Sequence, residues 1–289
     1  LVVIDEAHRC VYGADIATNE EMCNGIGSIL KHTFAHPEAG IQIGMSTATP
    51  FCGDRNPMIP AKFASKFKWY DEYTIDKYLE DIGLGFTYYY ILYQGDYQKA
   101  LNYLNRKQVT NTITYIPPAG SYCSLGDKYD DVEAVHRAIA GTRKKLPPGD
   151  RSEAVHTVMR GKTVYNVVDL VEEDLRDLKK KAIIAADKSP KPGKIDVAIS
   201  LNMLTEGANW RWADRIIIIG PKQSLTDVIQ RVGRLFRKHP DGVAPKKHVN
   251  IYHLIPYDPD VVDEEAVRQN LGDVYVAVHL GMMVSDVLS

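Results

Sequence analysis

Leu1-Val2-Val3-Ile4-Asp5-Glu6-Ala7-His8 opens the chain, and its reading decides the fold. Four apolar, mostly β-branched residues run straight into two carboxylates. An uninterrupted apolar run of this kind suits a strand buried on both faces of a parallel sheet. Ligands of open α/β sheets sit outside the carboxyl ends of such strands, so Asp5 and Glu6 are expected at a rim where a metal ion and an activated water can be held. The chain starts inside this apparent core strand, with no initiator Met. We read it as a fragment whose N-terminal part is missing.

The chain has 289 residues, enough for two ordinary domains, with a net charge of −2 and 45% hydrophobic residues. A near-neutral balance does not announce a polyanion binder, so a nucleic-acid surface must be a local basic groove. Cys10, Cys23, Cys52 and Cys123 form no CxxC pair and read as free thiols of a reducing compartment. No signal peptide and no membrane-length apolar span is present, which gives a cytoplasmic or nucleoid-associated protein with no membrane partner.

Around the opening strand, residues 1–104 read as the C-terminal part of a first α/β domain plus an interdomain segment. Met22 to Phe34 reads as a short helix ended by Pro37 and Gly40, and Ile41 to Met45 as a strand running into Ser46-Thr47-Ala48-Thr49-Pro50. Ile75 to Ile82 has helical spacing and stops at Gly83; Thr87 to Tyr93 reads as a strand. The tyrosine-rich stretch from Phe67 to Tyr103 suits core and cross-strand packing better than stacking on exposed bases.

Residues 105–256 repeat the α/β alternation. Strands are expected at Thr112 to Ile116, Val164 to Val168, Ile195 to Leu201, Arg215 to Ile219 and Val249 to Ile255, with helices at Asp130 to Ala140 and Leu170 to Ala186. Strands alternating with helices argue for a parallel sheet with right-handed crossovers. Lys179, Lys180 and Lys181 read as a solvated face. Asn202 to Trp210 leaves the carboxyl end of a strand, where Gly207 lets a ligand approach the backbone. Residues 257–289 read as a helical extension.

The most informative helix is expected from Ser224 to about Lys238. Leu225, Val228, Ile229, Val232 and Phe236 make an apolar stripe, while Gln230, Arg234 and Arg237 share another face at i, i+4 and i+7. Such an arginine stripe either grips a phosphate or is a solvated basic face. Gly233 inside a helix costs ~1 kcal/mol relative to Ala and marks a close contact.

These segments together resemble the superfamily 2 helicases and translocases. Asp5-Glu6-Ala7-His8 resembles motif II, the DEAH box, and Thr47-Ala48-Thr49 resembles motif III. Thr112 to Pro118 matches motif IV weakly, Met203 to Asn209 resembles motif V, and Gln230 to Arg237 fits the QxxGRxxR pattern of motif VI. The forms of motifs III and V look closest to the DNA helicases and translocases of restriction and repair systems, the type III restriction-like group. The resemblance implies two RecA-like parallel-sheet domains in tandem, the first truncated, and an ATP- and Mg²⁺-dependent motor working in the cleft between them. It gives Asp5 the Mg²⁺, through water, and Glu6 the attacking water. Gln230, Arg234 and Arg237 would act on the γ-phosphoryl group, and Gly207 and Asn209 would lie near the nucleotide. His8, Thr47 and Thr49 would couple nucleotide state to nucleic acid, and Thr205 would touch a backbone phosphate. DNA is favoured over RNA as the track.

One departure matters. The G-x-x-x-x-G-K-[S/T] loop that should precede motif II is absent; Gly161-Lys162-Thr163 lacks the first glycine, with His156 in its place. The fragment alone is therefore expected to hydrolyse ATP poorly. Asn202 also stands where relatives often carry Asp. Two other readings stay open: a non-catalytic nucleic-acid-binding scaffold with a degenerate core, and a motor subunit serving nuclease or methyltransferase subunits.

Overall fold

The computed structural model describes residues 2–4, 32–33, 35–45, 51–52, 56–57, 75–140, 154–171, 175–201, 209–220, 225–240 and 242–257. The chain divides into two compact units, residues 1–77 with 222–230 and 274–289, and residues 78–221 with 231–273.

In the first unit, β1 (Val2–Ile4) pairs in parallel with β2 (Ile43–Met45), with Val3 opposite Gly44. The opening run is thus a parallel strand, but it is not covered on both faces. Val3 is 69% exposed, because the residue opposite it has no side chain to pack there. A 3-10 turn at Pro37–Ala39 ends at Gly40, whose φ of 65° is a conformation that costs glycine little. A short antiparallel pair, β3 (Phe51–Cys52) and β4 (Asn56–Pro57), follows. The expected Met22 to Phe34 helix lies almost wholly outside the described residues.

The second unit begins with α1 (Ile75–Ile82), which crosses into it at Tyr78 and stops at Gly83, φ 64°. Its remaining elements are β5 (Gly85–Tyr93), α2 (Gln98–Lys107), β6 (Thr112–Tyr115), α3 (Lys128–Ala140), β7 (His156–Arg160), β8 (Thr163–Asp169), α4 (Arg176–Asp187), β9 (Val197–Ser200), β10 (Arg215–Ile219), α5 (Leu225–Val232, lying on both sides of the unit boundary) and β11 (His248–Pro256). They build an α/β fold around a seven-stranded sheet of order β5-β11-β10-β6-β9-β8-β7, parallel except for β7.

Why this sheet holds is plain in its centre. Ile216, Ile217, Ile218 and Ile219 are each 0% exposed, and burial of one such side chain contributes roughly 1.5–3 kcal/mol. Ile217 and Ile219 pack with Leu101, Leu104, Val135 and Ile139 from α2 and α3. One buried carboxylate in this core is well satisfied. Asp131 accepts from Tyr97 Oη at 2.5 Å, Ser124 Oγ at 2.7 Å and the Leu125 amide at 3.1 Å. At the amino end of β10 the Arg215 guanidinium lies over the Tyr252 ring and donates to the Gln108 carbonyl, and burial pushes its pKa down to about 10.

Four details differ from the sequence reading. The Thr87 to Tyr93 strand, expected in the interdomain segment, starts at Gly85 and forms the edge of the large sheet, paired with β11 in register from Gly85↔His248 to Tyr93↔Pro256. Helix α2, which the apolar spacing did not suggest, follows that strand and packs its buried Leu101 and Leu104 into the core. The hairpin β7–β8 was also not expected; Gly161 makes its turn with φ 58°, so Gly161-Lys162-Thr163 is a hairpin tip and no phosphate loop. Lys179 is 1% exposed, so only part of the lysine run faces solvent.

Candidate nucleotide site

The sequence places its candidate chemistry on motifs II, III, V and VI. Asp5, Glu6, His8, Thr47, Thr49, Thr205 and Gly207 lie outside the described residues, as does the helical extension 257–289. Asn209, Gln230, Arg234 and Arg237 are described. Gln230 belongs to the first compact unit and the two arginines to the second.

Motif VI is built differently from the expected single helix. Helix α5 ends at Val232, and the chain then tightens into i→i+3 turns, Arg234 N to Arg231 O at 3.2 Å and Leu235 N to Val232 O at 2.9 Å. Gly233, a poor helix former, stands where the helix stops. Arg234 and Arg237 therefore do not share a helix face with Gln230; they are carried by the turns beyond it. The apolar residues keep their expected role, since Val228, Val232, Leu235 and Phe236 are all buried.

The two arginines are close enough to act on one another. Arg237 is partly buried, and its pKa is lowered first by burial and then by the charge of Arg234, with Arg211 adding to the repulsion and Asp187 opposing it. Asp187, at the end of α4, is held by Arg211, whose Nε lies 3.0 Å from Oδ2. The Asp187–Arg211 ion pair thus lies within electrostatic reach of Arg237.

Asn209 contributes a buried acceptor. Its Oδ1 is buried with no hydrogen-bond partner among the described residues. An orphaned acceptor of this kind costs roughly 1–3 kcal/mol until a donor is supplied, and a nucleotide hydroxyl or amino group can supply one.

Three supporting residues escaped the sequence reading. Arg231, within motif VI, is 1% exposed and stacks over the Tyr115 ring at 4.5 Å. Its spacing of three from Val228 and four from Leu235 puts it on the apolar stripe, a signal that was available. Asp187 carries no motif signature. Lys246 is 6% exposed; its Nζ donates to the carbonyls of Ala213 and Leu235, and burial pushes its pKa down to about 8. Beside it lies a cavity of about 280 Å³ whose lining includes Arg237, His239, Lys246, Asp81 and Leu84.

Comparisons with known proteins find relatives of the fold and of part of the sequence. Residues 149–239 match the family described as the helicase conserved C-terminal domain. A protein of Bacillus subtilis (strain 168) named "Putative ATP-dependent helicase YeeB" is 27% identical over 301 residues, covering 100% of this chain. Both similarities are to helicases. The chain spans 45% of the length of that Bacillus relative. Among solved structures, an ATP-dependent Type ISP restriction-modification enzyme, LlaBIII bound to DNA, superimposes with a TM-score of 0.53 at 15% identity, over 96% of this chain and 20% of that one. That likeness is one of fold, and the mostly parallel seven-stranded sheet is that of RecA-like helicase domains. No helix among the described residues is long and apolar enough to cross a membrane.

Proposed function

We propose that this chain carries the nucleic-acid motor core of an ATP-dependent DNA translocase or helicase. The observation that supports it most is the placing of Arg234 and Arg237 on the turns that end motif VI, where Arg237 is partly buried and feels the charge of Arg234. Two guanidinium groups in one such segment suit a phosphate, which they can grip through paired N–H donors. In this reading the arginines stabilise charge on the transferred γ-phosphoryl group, worth ~10³–10⁵ in kcat for arginine fingers of related NTPases. Gln230 and Glu6 orient the attacking water, and Asn209 and Gly207 contact the nucleotide. Asp5 would hold Mg²⁺ through water, which supplies charge neutralisation at the phosphates. His8, Thr47, Thr49 and Thr205 transmit nucleotide state to the nucleic acid.

The sequence has no G-x-x-x-x-G-K-[S/T] cradle, so the activity belongs to the full-length protein and the chain alone turns ATP over inefficiently. We place residues 1–104 in the first RecA-like domain with its connecting segment, 105–256 in the second, and 257–289 in an extension. DNA is the preferred track and a nuclease or methyltransferase subunit a fitting partner, given the forms of motifs III and V and the restriction enzyme that shares the fold. The test is nucleic-acid-stimulated ATP hydrolysis by the full-length protein. Glu6→Gln and Arg234→Ala are expected to abolish it; undiminished stimulated turnover in both sinks the motor reading and leaves a scaffold.

A further inference from the structure

Three neighbouring strands of the large sheet carry a stack that runs outward to its edge. The Arg215 guanidinium on β10 lies 5.0 Å from the centroid of the Tyr252 ring on β11. Tyr252 in turn stacks on Tyr89 of β5, with centroids 4.8 Å apart and planes 9° from parallel. The two tyrosines are register partners, and β5 is the outermost strand. One face of the Tyr89 ring is therefore taken by Tyr252, and the residue is 42% exposed on the outermost strand of the sheet among the described residues.

Helix α2 brings a cation to the same place. Lys107 Nζ sits 4.7 Å above the ring of Tyr103, which is 57% exposed, and lies within electrostatic reach of Tyr252 and Tyr89. The charge here is of one sign. The sequences of β5, α2 and β11 contain no Asp or Glu, yet supply Lys99, Arg106, Lys107 and His248. In a chain of net charge −2 this is a local concentration of cations and aromatic rings.

We propose that this edge is a base-stacking site for single-stranded nucleic acid. A nucleobase continues the Arg215–Tyr252–Tyr89 stack on the other face of Tyr89, and a flanking phosphate pairs with Lys107. Every base has a π-face, so the contact tolerates sequence, as a motor's track contact must. A protein ligand would need apolar pockets or carboxylates directed at this surface; its own chemistry, flat rings beside cations, fits a polyanion carrying flat bases. The inference rests on the motor reading but uses none of the residues assigned to ATP.

The test uses a fluorescein-labelled twelve-residue oligothymidylate and an abasic oligonucleotide of equal length, with binding read by fluorescence anisotropy. Tyr89→Leu is expected to weaken oligothymidylate binding about tenfold and leave the abasic strand unchanged, while Tyr89→Trp retains affinity. Lys107→Ala is expected to weaken both strands and flatten the salt dependence by about one phosphate contact. Irradiation with 5-bromodeoxyuridine in place of thymidine is expected to leave an adduct on Tyr89, which reports contact whatever the stability of the variants. Tight binding with Tyr89→Leu equal to wild type, or adducts that avoid Tyr89, overturns the stacking site while the motor reading stands. If wild type binds neither strand at low salt, both fall.

Discussion

Lys246 reaches Leu235: its Nζ donates to the Leu235 carbonyl at 3.1 Å, between Arg234 and Arg237 in the chain, and to the Ala213 carbonyl just past Asn209. One buried ammonium group thus ties the segment that follows motif V to the turns that carry Arg234 and Arg237. Asp214, Asp187 and His239 are the titratable groups that share its surroundings.

Replacing that ammonium has a sign that can be worked out. Lys246→Met leaves two carbonyls without their donor, at roughly 1–3 kcal/mol each. The pKa of Lys246 is pushed from 10.5 down to about 8 in the folded chain, so between those values the unfolded chain holds a proton that the folded one has released. Wild type therefore gains stability, up to roughly 3 kcal/mol, as pH rises through this window. Lys246→Met lacks this gain. Urea unfolding of both proteins at pH 7 and pH 9.5 checks it: the gap between them should widen at the higher pH.

His136 gives the opposite end of the pH scale. Burial, and then the neighbouring His156, lowers its pKa from 6.5 to about 4, and its buried Nε2 has no hydrogen-bond partner among the described residues. Below pH 6.5 the unfolded chain takes up a proton that the folded chain refuses. Stability should fall by roughly 3 kcal/mol as pH drops through that interval. His136→Leu should flatten this part of the stability curve; a variant as acid-sensitive as wild type would assign the loss to other groups.

Gly220, at the carboxyl end of β10, has φ 82°, and a Cβ there would run into the Sγ of Cys123. Gly220→Ala is expected to cost about 1–3 kcal/mol, from backbone strain together with the clash. The double variant with Cys123→Ala should recover only the clash. Full recovery in thermal unfolding would mean that the backbone conformation costs nothing.

Arg231 and Arg237 lie six residues apart and should behave differently. Arg231 is buried over Tyr115, so Arg231→Met should lower stability by roughly 1–3 kcal/mol and spare turnover per folded molecule. Arg237→Lys keeps the charge but loses the planar fork; it should leave unfolding nearly unchanged and cut stimulated ATPase by at least tenfold in the full-length protein. Equal effects of the two substitutions on kcat would remove the distinction.

Much of the second unit was legible because its elements are locally consistent. The strand at Arg215 to Ile219 and the helix ending at Gly83 follow from apolar runs and a glycine stop. Helix α2 was hidden by its composition: Gln98 to Lys107 has three buried positions, Leu101, Leu104 and Asn105, and one of them is polar. The edge strand β5 was read correctly as a strand and assigned to the connecting segment, because its partner β11 begins at His248, more than 150 residues further along the chain. The motif VI helix was drawn too long, since the apolar period continues through Leu235 and Phe236 after the hydrogen bonding has changed at Gly233.

The sequence by itself determined the α/β class and the order of the helicase-like motifs, because these depend on residue type and short spacing. The tertiary structure alone decided which charges are buried. Long-range pairing brings carbonyls and aromatic rings around Lys246, Arg231 and Arg215. The tertiary structure also decided that Tyr89 stands on the outermost strand among the described residues with one ring face covered, since strand order is set by packing between segments that no local period connects.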